Sequence, residues 1–353
     1  MKIHQLETPV LILEKSIFEE NMHTMKALLS NTTMALRPHY KSHKCPTIAK
    51  LQLADGAKGM ICAKLGEAED LADCGIADIL IGNQIVQPEK LCRLAALARK
   101  CRLTVCVDDA ENILALEKHM AAANATLHCL VEYEIGMGRC GVETHDEVIA
   151  LARLIADQPH LIFEGVQAYA GNLSHEGSLA VRQASTNKIE TDLCVLKNAL
   201  TAAGLPPKEI TGGSTGTVET KPGNSVYTEM QCGSYIFMDR AYRDMNLCFR
   251  NALFLLAGVV SVKPDRIVTD AGTKSLGMDQ GDPVFVGFES IPVKMSEEHA
   301  QIAAPGHGLR LNDKVRLIPG HCCTTMNSHD KLYVVDGDEV VDVWPIVSRG
   351  KCR

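Results

Sequence analysis

Short apolar runs alternate with amphipathic segments from about residue 15 to about residue 240. Aliphatic and β-branched runs too short for helices read as buried strands. They fall at 33–36, 59–62, 79–81, 103–107, 127–132, 162–168, 209–211 and 226–231. Between them, apolar residues recur at helical spacing over 67–74, 88–100, 110–123, 145–157 and 178–203. Eight strands alternating with helices over roughly 200 residues predict a (β/α)8 barrel. A doubly wound open sheet is the competing architecture, but no Gly-x-Gly-x-x-Gly follows the first strand to support it.

Beyond about residue 250 the pattern changes. Strand-like runs at 257–263, 266–270, 284–286, 314–318, 332–335 and 339–345 follow one another with few helices between them. Asp270-Ala271-Gly272 and Asp336-Gly337-Asp338 supply turns, so a small antiparallel β domain is predicted. A further strand at 10–13 either opens the barrel or joins this domain. The predicted division is a barrel over 14–245, with 1–13 and 246–353 forming the β domain.

Composition narrows the partners. The chain has 353 residues and a net charge of −7, with no basic stripe to exchange phosphate counterions, so no nucleic-acid partner is expected. No apolar run approaches the roughly 18 residues of a membrane span, and the N-terminus lacks a signal-peptide apolar core. Fourteen cysteines are scattered without a Cys-x-x-Cys pair, which predicts reduced residues in a cytoplasmic protein.

The candidate chemistry gathers where barrel strands end. Arg37-Pro38-His39-Tyr40-Lys41-Ser42-His43-Lys44 follows the first strand. If the strand continues, Arg37, His39, Lys41 and His43 share one face. Mutual repulsion would then ease deprotonation of a lysine, the form that condenses with a carbonyl cofactor. A basic surface strand contacting an anion is the other reading. Arg139 sits in a Gly-rich exit from the fifth strand, and Tyr169 follows the sixth. The Gly-rich turn from Thr211 to Gly216, with Thr215, suits an anion, and Gly233-Ser234 after the eighth strand can complete a phosphate cup. Near the C-terminus, His321-Cys322-Cys323 places an imidazole and a thiol two residues apart. That spacing serves one metal ion, Zn2+ by donor type, or a packed histidine beside buried cysteines.

These segments together resemble one family. Arg37 to Lys44, Val131-Glu132, Gly138-Arg139-Cys140-Gly141-Val142, Gln167-Ala168-Tyr169, Ile210-Thr211-Gly212-Gly213, Gly233-Ser234-Tyr235, Asp270-Ala271-Gly272 and Ser348-Arg349-Gly350 match the fold-type III pyridoxal phosphate enzymes of the D-threonine aldolase/D-serine dehydratase family. The match runs nearly end to end and is nearest the aldolase branch. It implies the alanine racemase fold, usually as a homodimer. By the same resemblance Lys41, rather than Lys44, is the Schiff-base lysine. Arg139 lies near the cofactor's ring oxygen, Tyr169 lies beside the ring, and Thr215, Gly233 and Ser234 hold the phosphate. His321 and Cys323 fall on the metal-ligand positions, for Zn2+ or alternatively Mn2+ or Mg2+.

The implied activity is metal-assisted cleavage of a D-3-hydroxy amino acid, such as D-threonine, to glycine and an aldehyde. Dehydration of D-serine or D-3-hydroxyaspartate to a 2-oxo acid and ammonia is the alternative. Three positions depart from the aldolase pattern: Cys323 replaces a typical aspartate and matches the dehydratases, Ala63 replaces a glutamine, and Ala170 replaces a common histidine. A non-catalytic pyridoxal phosphate carrier lacks the β domain predicted here. A racemase needs a second acid/base opposite Lys41 and has no use for the metal pair.

Overall fold

The computed structural model describes residues 1–221 and 223–353. It divides into two compact units. One comprises Ala27–Lys41, Ala49–Gly233 and Lys351–Arg353, and the other Met1–Lys26, Ser42–Ile48 and Ser234–Gly350.

The first unit is an eight-stranded parallel sheet in the order of the chain: Ala35–Leu36, Met60–Cys62, Asp78–Ile81, Arg102–Val107, Leu127–Glu132, Leu161–Ala168, Glu209–Gly212 and Glu229–Met230. The last strand pairs in parallel with the first. A bridge from His39 to Ile61 joins the first to the second, where the Ile61 N–H donates to the Pro38 carbonyl at 3.0 Å. The sheet thereby closes on itself, which gives the predicted barrel and not an open sheet. Helices Leu65–Asp73, Pro88–Ala98, Ala110–Ala123, His145–Ala156 and Leu179–Ala202 alternate with the strands. Their starts follow local chemistry. Asp109 accepts from the Asn112 N–H at 3.0 Å, and Thr144 with Glu147 forms a capping box.

The expected shared face of Arg37, His39, Lys41 and His43 does not form. Ladder hydrogen bonds from the N–H groups of Ala35, Arg37 and His39 to the carbonyls of Thr228, Met230 and Cys232, in and flanking the eighth strand, carry the alternation as far as His39. A 3-10 turn over Tyr40–Ser42 then ends it, and His43 belongs to the other unit. Arg37 is not a repelling neighbour of the lysine either. Buried to 4 % exposure, it donates from Nε to Glu229 at 2.9 Å and from its terminal nitrogen to Asp78 at 2.7 Å.

Arg37 belongs to a charged layer at and near the amino ends of the strands. Lys58 pairs with Glu209 and, at 3.3 Å, with Glu229. Arg102 links Asp78 at 3.4 Å to Glu164 at 3.5 Å. Removing one member of a buried pair leaves the other charge desolvated and uncompensated. Arg37→Met is therefore expected to cost about 3–5 kcal/mol of stability, read by urea unfolding. A loss below about 1 kcal/mol, the range of an exposed pair, would mean that Lys58 alone neutralises Glu229.

The second unit is built on a nine-stranded sheet. Its main path runs Val293–Met295, Ala300–Ile302, Arg266–Thr269, Leu253–Lys263, Val10–Glu14, Lys331–Asp336 and Glu339–Pro345. Lys314–Ile318 pairs with both Leu253–Lys263 and Val284–Phe285. All pairings are antiparallel except that of Val10–Glu14 with Lys331–Asp336. The ambiguous first strand thus belongs to this sheet, where Ile12 packs with Phe254, Leu256, Ile318 and Val335. Val293–Met295 and Ala300–Ile302 were not expected. At three residues each, they are too short to display an alternating pattern.

Candidate active site

Within the barrel unit, Lys41, Arg139 and Tyr169 line one cavity together with His39, Asn83, Gln167 and Gln231. The Lys41 amine lies 5.8 Å from the centre of the Tyr169 ring, and the Arg139 guanidinium lies 5.7 Å from it. Two cations and several amide donors around an aromatic face suit a flat, anionic, carbonyl-bearing ligand such as pyridoxal phosphate. A larger cavity of about 410 Å³ also contains a lysine, Lys188, on the helix Leu179–Ala202. Lys188 is exposed, and neither an arginine nor an aromatic ring lines its cavity among the described residues.

Each cavity residue has a local cause for its place. The turn at Tyr40–Ser42 brings the Lys41 N–H to within 3.4 Å of His39 Nδ1. The Arg139 loop is organised by Glu134, whose carboxylate accepts from the backbone N–H groups of Gly136, Met137 and Arg139. Arg139 itself stands 3.7 Å from Glu132. Burial pushes the Glu132 carboxyl above its usual range, against a 2.6 Å hydrogen bond from Gln84 and the charge of Arg139. Gln231 donates to Gln167 at 3.1 Å and to Thr211 at 2.9 Å. Glu132 and Gln167 lie inside segments prominent in the sequence. Gln84 and Gln231 carry no signal there, because their partners lie on other strands far away in the sequence and meet them only through tertiary pairing.

Lys44 is placed differently. It adopts a φ of 52°, and its buried amine faces the Ser348 carbonyl at 3.5 Å. Thr215 is buried just beyond the strand Glu209–Gly212, and Gly233 is the last residue of its segment of the barrel unit. Ser234 belongs to the other unit, where its hydroxyl lies 3.8 Å from the Cys323 sulfur.

In the β unit, His321 and Cys323 do come together, though not by strand alternation. The strand Lys314–Ile318 ends before them, and His321 caps the short helix Cys322–Met326. His321 Nδ1 lies 2.6 Å from Asp279. Burial works against the imidazolium, but the Cys323 sulfur and the Asp279 carboxylate outweigh it and raise the imidazole to about 9. The Cys323 thiol is held well below its usual range by hydrogen bonds from Cys322, His321 and Ser42, despite desolvation. Ser42 is 3.4 Å away. A thiolate and an imidazole on one side chain cluster are suitable Zn2+ donors. Among the described residues no group of three or more His, Cys, Asp or Glu side chains is poised around one metal position. A metal here would therefore take two protein ligands and keep open positions for water and substrate. Neither Ser42 nor Asp279 was foreseen, since nothing in the spacing links them to His321.

The fold is of the alanine racemase type. Residues 14–241 match the family described as "Alanine racemase, N-terminal domain", and residues 252–335 match "Putative serine dehydratase domain". The chain belongs to the D-threonine aldolase/D-serine dehydratase family of lyases. It is 40% identical over 357 residues to a D-threonine aldolase from Arthrobacter sp., covering 99% of this chain and 94% of that protein. It is 38% identical to a 3-hydroxy-D-aspartate aldolase from Paracoccus denitrificans, covering 98% and 93% of the two chains. The solved D-threonine aldolase from Filomicrobium marinum superposes with a TM-score of 0.97 at 36% identity, covering 100% of this chain and 98% of that one.

Proposed function

We propose that this chain is a pyridoxal phosphate-dependent, metal-assisted lyase that cleaves D-3-hydroxy amino acids such as D-threonine to glycine and an aldehyde. The observation that carries the reading is the convergence of the Lys41 amine and the Arg139 guanidinium on the Tyr169 ring. Full-length similarity to two aldolases supports the direction of the reaction.

When bound, pyridoxal phosphate supplies an electron sink for the charge left at Cα, and a divalent metal supplies a Lewis acid for the 3-hydroxyl. Lys41 would hold the cofactor through its carbonyl carbon. Arg139 would lie near its ring oxygen and Tyr169 beside the ring, and Thr215, Gly233 and Ser234 would hold the phosphate. His321 and Cys323 hold the metal, for which the soft sulfur favours Zn2+ over Mn2+ or Mg2+. Cofactor binding falls to the barrel region 14–245, and metal binding to the β region formed by 1–13 and 246–353. We assign a homodimer in the cytoplasm, with a small D-amino acid as partner and neither nucleic acid nor membrane. Fourteen cysteines scattered without a Cys-x-x-Cys pair fit that compartment. No helix among the described residues is long and apolar enough to cross a membrane.

Dehydration to a 2-oxo acid and ammonia is the second reading. Cys323 and the match of 252–335 to a serine dehydratase domain favour it. Product analysis separates the two, with pyridoxal phosphate and Zn2+ or Mn2+ supplied. D-threonine is expected to give glycine and acetaldehyde. A 2-oxo acid with ammonia from D-threonine or D-serine would replace the aldolase with a dehydratase. Cofactor loading without turnover of either would sink both lyase readings in favour of a carrier.

A further inference from the structure

The segment after the strand Arg266–Thr269 is held unusually close to the short helix Cys322–Met326. Two glycines permit the approach. A Cβ at Gly277 would collide with the Thr324 side chain, and one at Gly320 would collide with the Gly281 carbonyl. A hydrogen bond fixes the register: the Gly277 N–H donates to the Thr325 hydroxyl at 2.9 Å, and that hydroxyl donates to the His321 carbonyl at 2.6 Å. The side chain delivered by this packing is Asp279. One of its oxygens lies 2.6 Å from His321 Nδ1, and the other accepts from the Thr324 hydroxyl at 2.6 Å.

We propose that Asp279 is the positioning residue of the metal centre, orienting His321 so that Nε2 is its ligating atom. The inference rests on the reading of His321 and Cys323 as metal ligands. A carboxylate has no proton to give, so Nδ1 carries the hydrogen in this contact. Nδ1 therefore keeps its hydrogen, Nε2 is the nitrogen that would give up its proton and ligate the metal, and the carboxylate makes the imidazole a stronger donor. Thr324 restrains the carboxylate from its other side. The ring is thereby held before any metal arrives.

The test is a titration of the holoenzyme with Zn2+ alone against a chromophoric chelator, comparing wild type with Asp279→Ala, Asp279→Asn and His321→Ala. Asp279→Ala is expected to weaken Zn2+ about 10- to 100-fold, the usual effect of losing a ligand's orienting partner. The cofactor absorbance should stay unchanged. Asp279→Asn keeps an oxygen acceptor for Nδ1–H but loses the charge, so its affinity should lie between the two. Its Co2+ form should retain the wild-type band positions, because the ligand set is intact. If Asp279→Ala does not fold, Asp279→Asn alone carries the comparison. Unchanged affinity in the Asp279 variants beside a loss in His321→Ala overturns the inference and leaves the metal reading standing. Unchanged affinity in His321→Ala overturns both. Displaced Co2+ bands in Asp279→Asn would make Asp279 a ligand and refute the positioning role.

Discussion

Lys41→Ala is expected to abolish the visible absorbance of lysine-bound pyridoxal phosphate and to lower lyase turnover by at least about 10²–10⁴-fold, the range lost with a positioned proton-transfer group. The amine sits over the Tyr169 ring at 5.8 Å, in the same cavity as Arg139. On the proposed assignment, its removal would take away the amine that anchors the cofactor through its carbonyl carbon. The fold should tolerate the change, because Lys41 lies half-buried in a 3-10 turn, and the barrel's charged cluster is made by Arg37, Lys58 and Arg102 without it. Lys44→Ala is the control. Its amine faces the Ser348 carbonyl, so the absorbance should survive that change. Absorbance at full strength in Lys41→Ala, with loss in Lys44→Ala, would reverse the assignment of the two lysines.

The barrel was legible because its strands are buried on both faces and read as continuous apolar runs, such as Leu127–Glu132, found with the expected bounds. The limits of that pattern are equally physical. Between Arg37 and His43 the sequence still alternates, yet the backbone leaves the extended form at Tyr40. Alternation in sequence states which residues would share a face, not how far the strand continues. Arg37 illustrates the cost of that gap. Its neutralisation depends on Glu229 and Asp78, which lie 192 and 41 residues away and meet it only when the sheet closes. The His321/Cys323 pair was visible as a spacing, whereas Asp279 and Ser42 were not, because each reaches the pair through tertiary packing. Local motifs thus named the candidate groups, and the fold supplied the side chains that contact them. Ala63, which lines the Lys41 cavity, and Ala170 after Tyr169 are small and apolar, so they leave room without defining a substrate.

His321→Ala is expected to separate cofactor binding from metal-assisted chemistry. Pyridoxal phosphate loading should be unaffected, because His321 is not among the residues assigned to the cofactor, and Lys41, Arg139 and Tyr169 line a cavity within the barrel unit. Zn2+ should be lost, since Cys323 would remain as the sole ligand of the pair, and a single thiolate cannot supply the tetrahedral donor set that Zn2+ prefers. The fall should exceed the about 10- to 100-fold effect of losing an orienting partner. Turnover should fall with it, because on the proposed reading the metal would supply the Lewis acid for the 3-hydroxyl. Cys323→Asp provides a variant of the same position with the opposite expectation. A hard carboxylate in place of the soft sulfur should move the preference from Zn2+ toward Mn2+ or Mg2+ without emptying the site. If the pair has the assigned role, the first substitution abolishes metal content and the second changes metal identity. Wild-type turnover in metal-free His321→Ala would refute the metal's part in the reaction, and the imidazole would then revert to a packed residue held by Asp279 and Cys323.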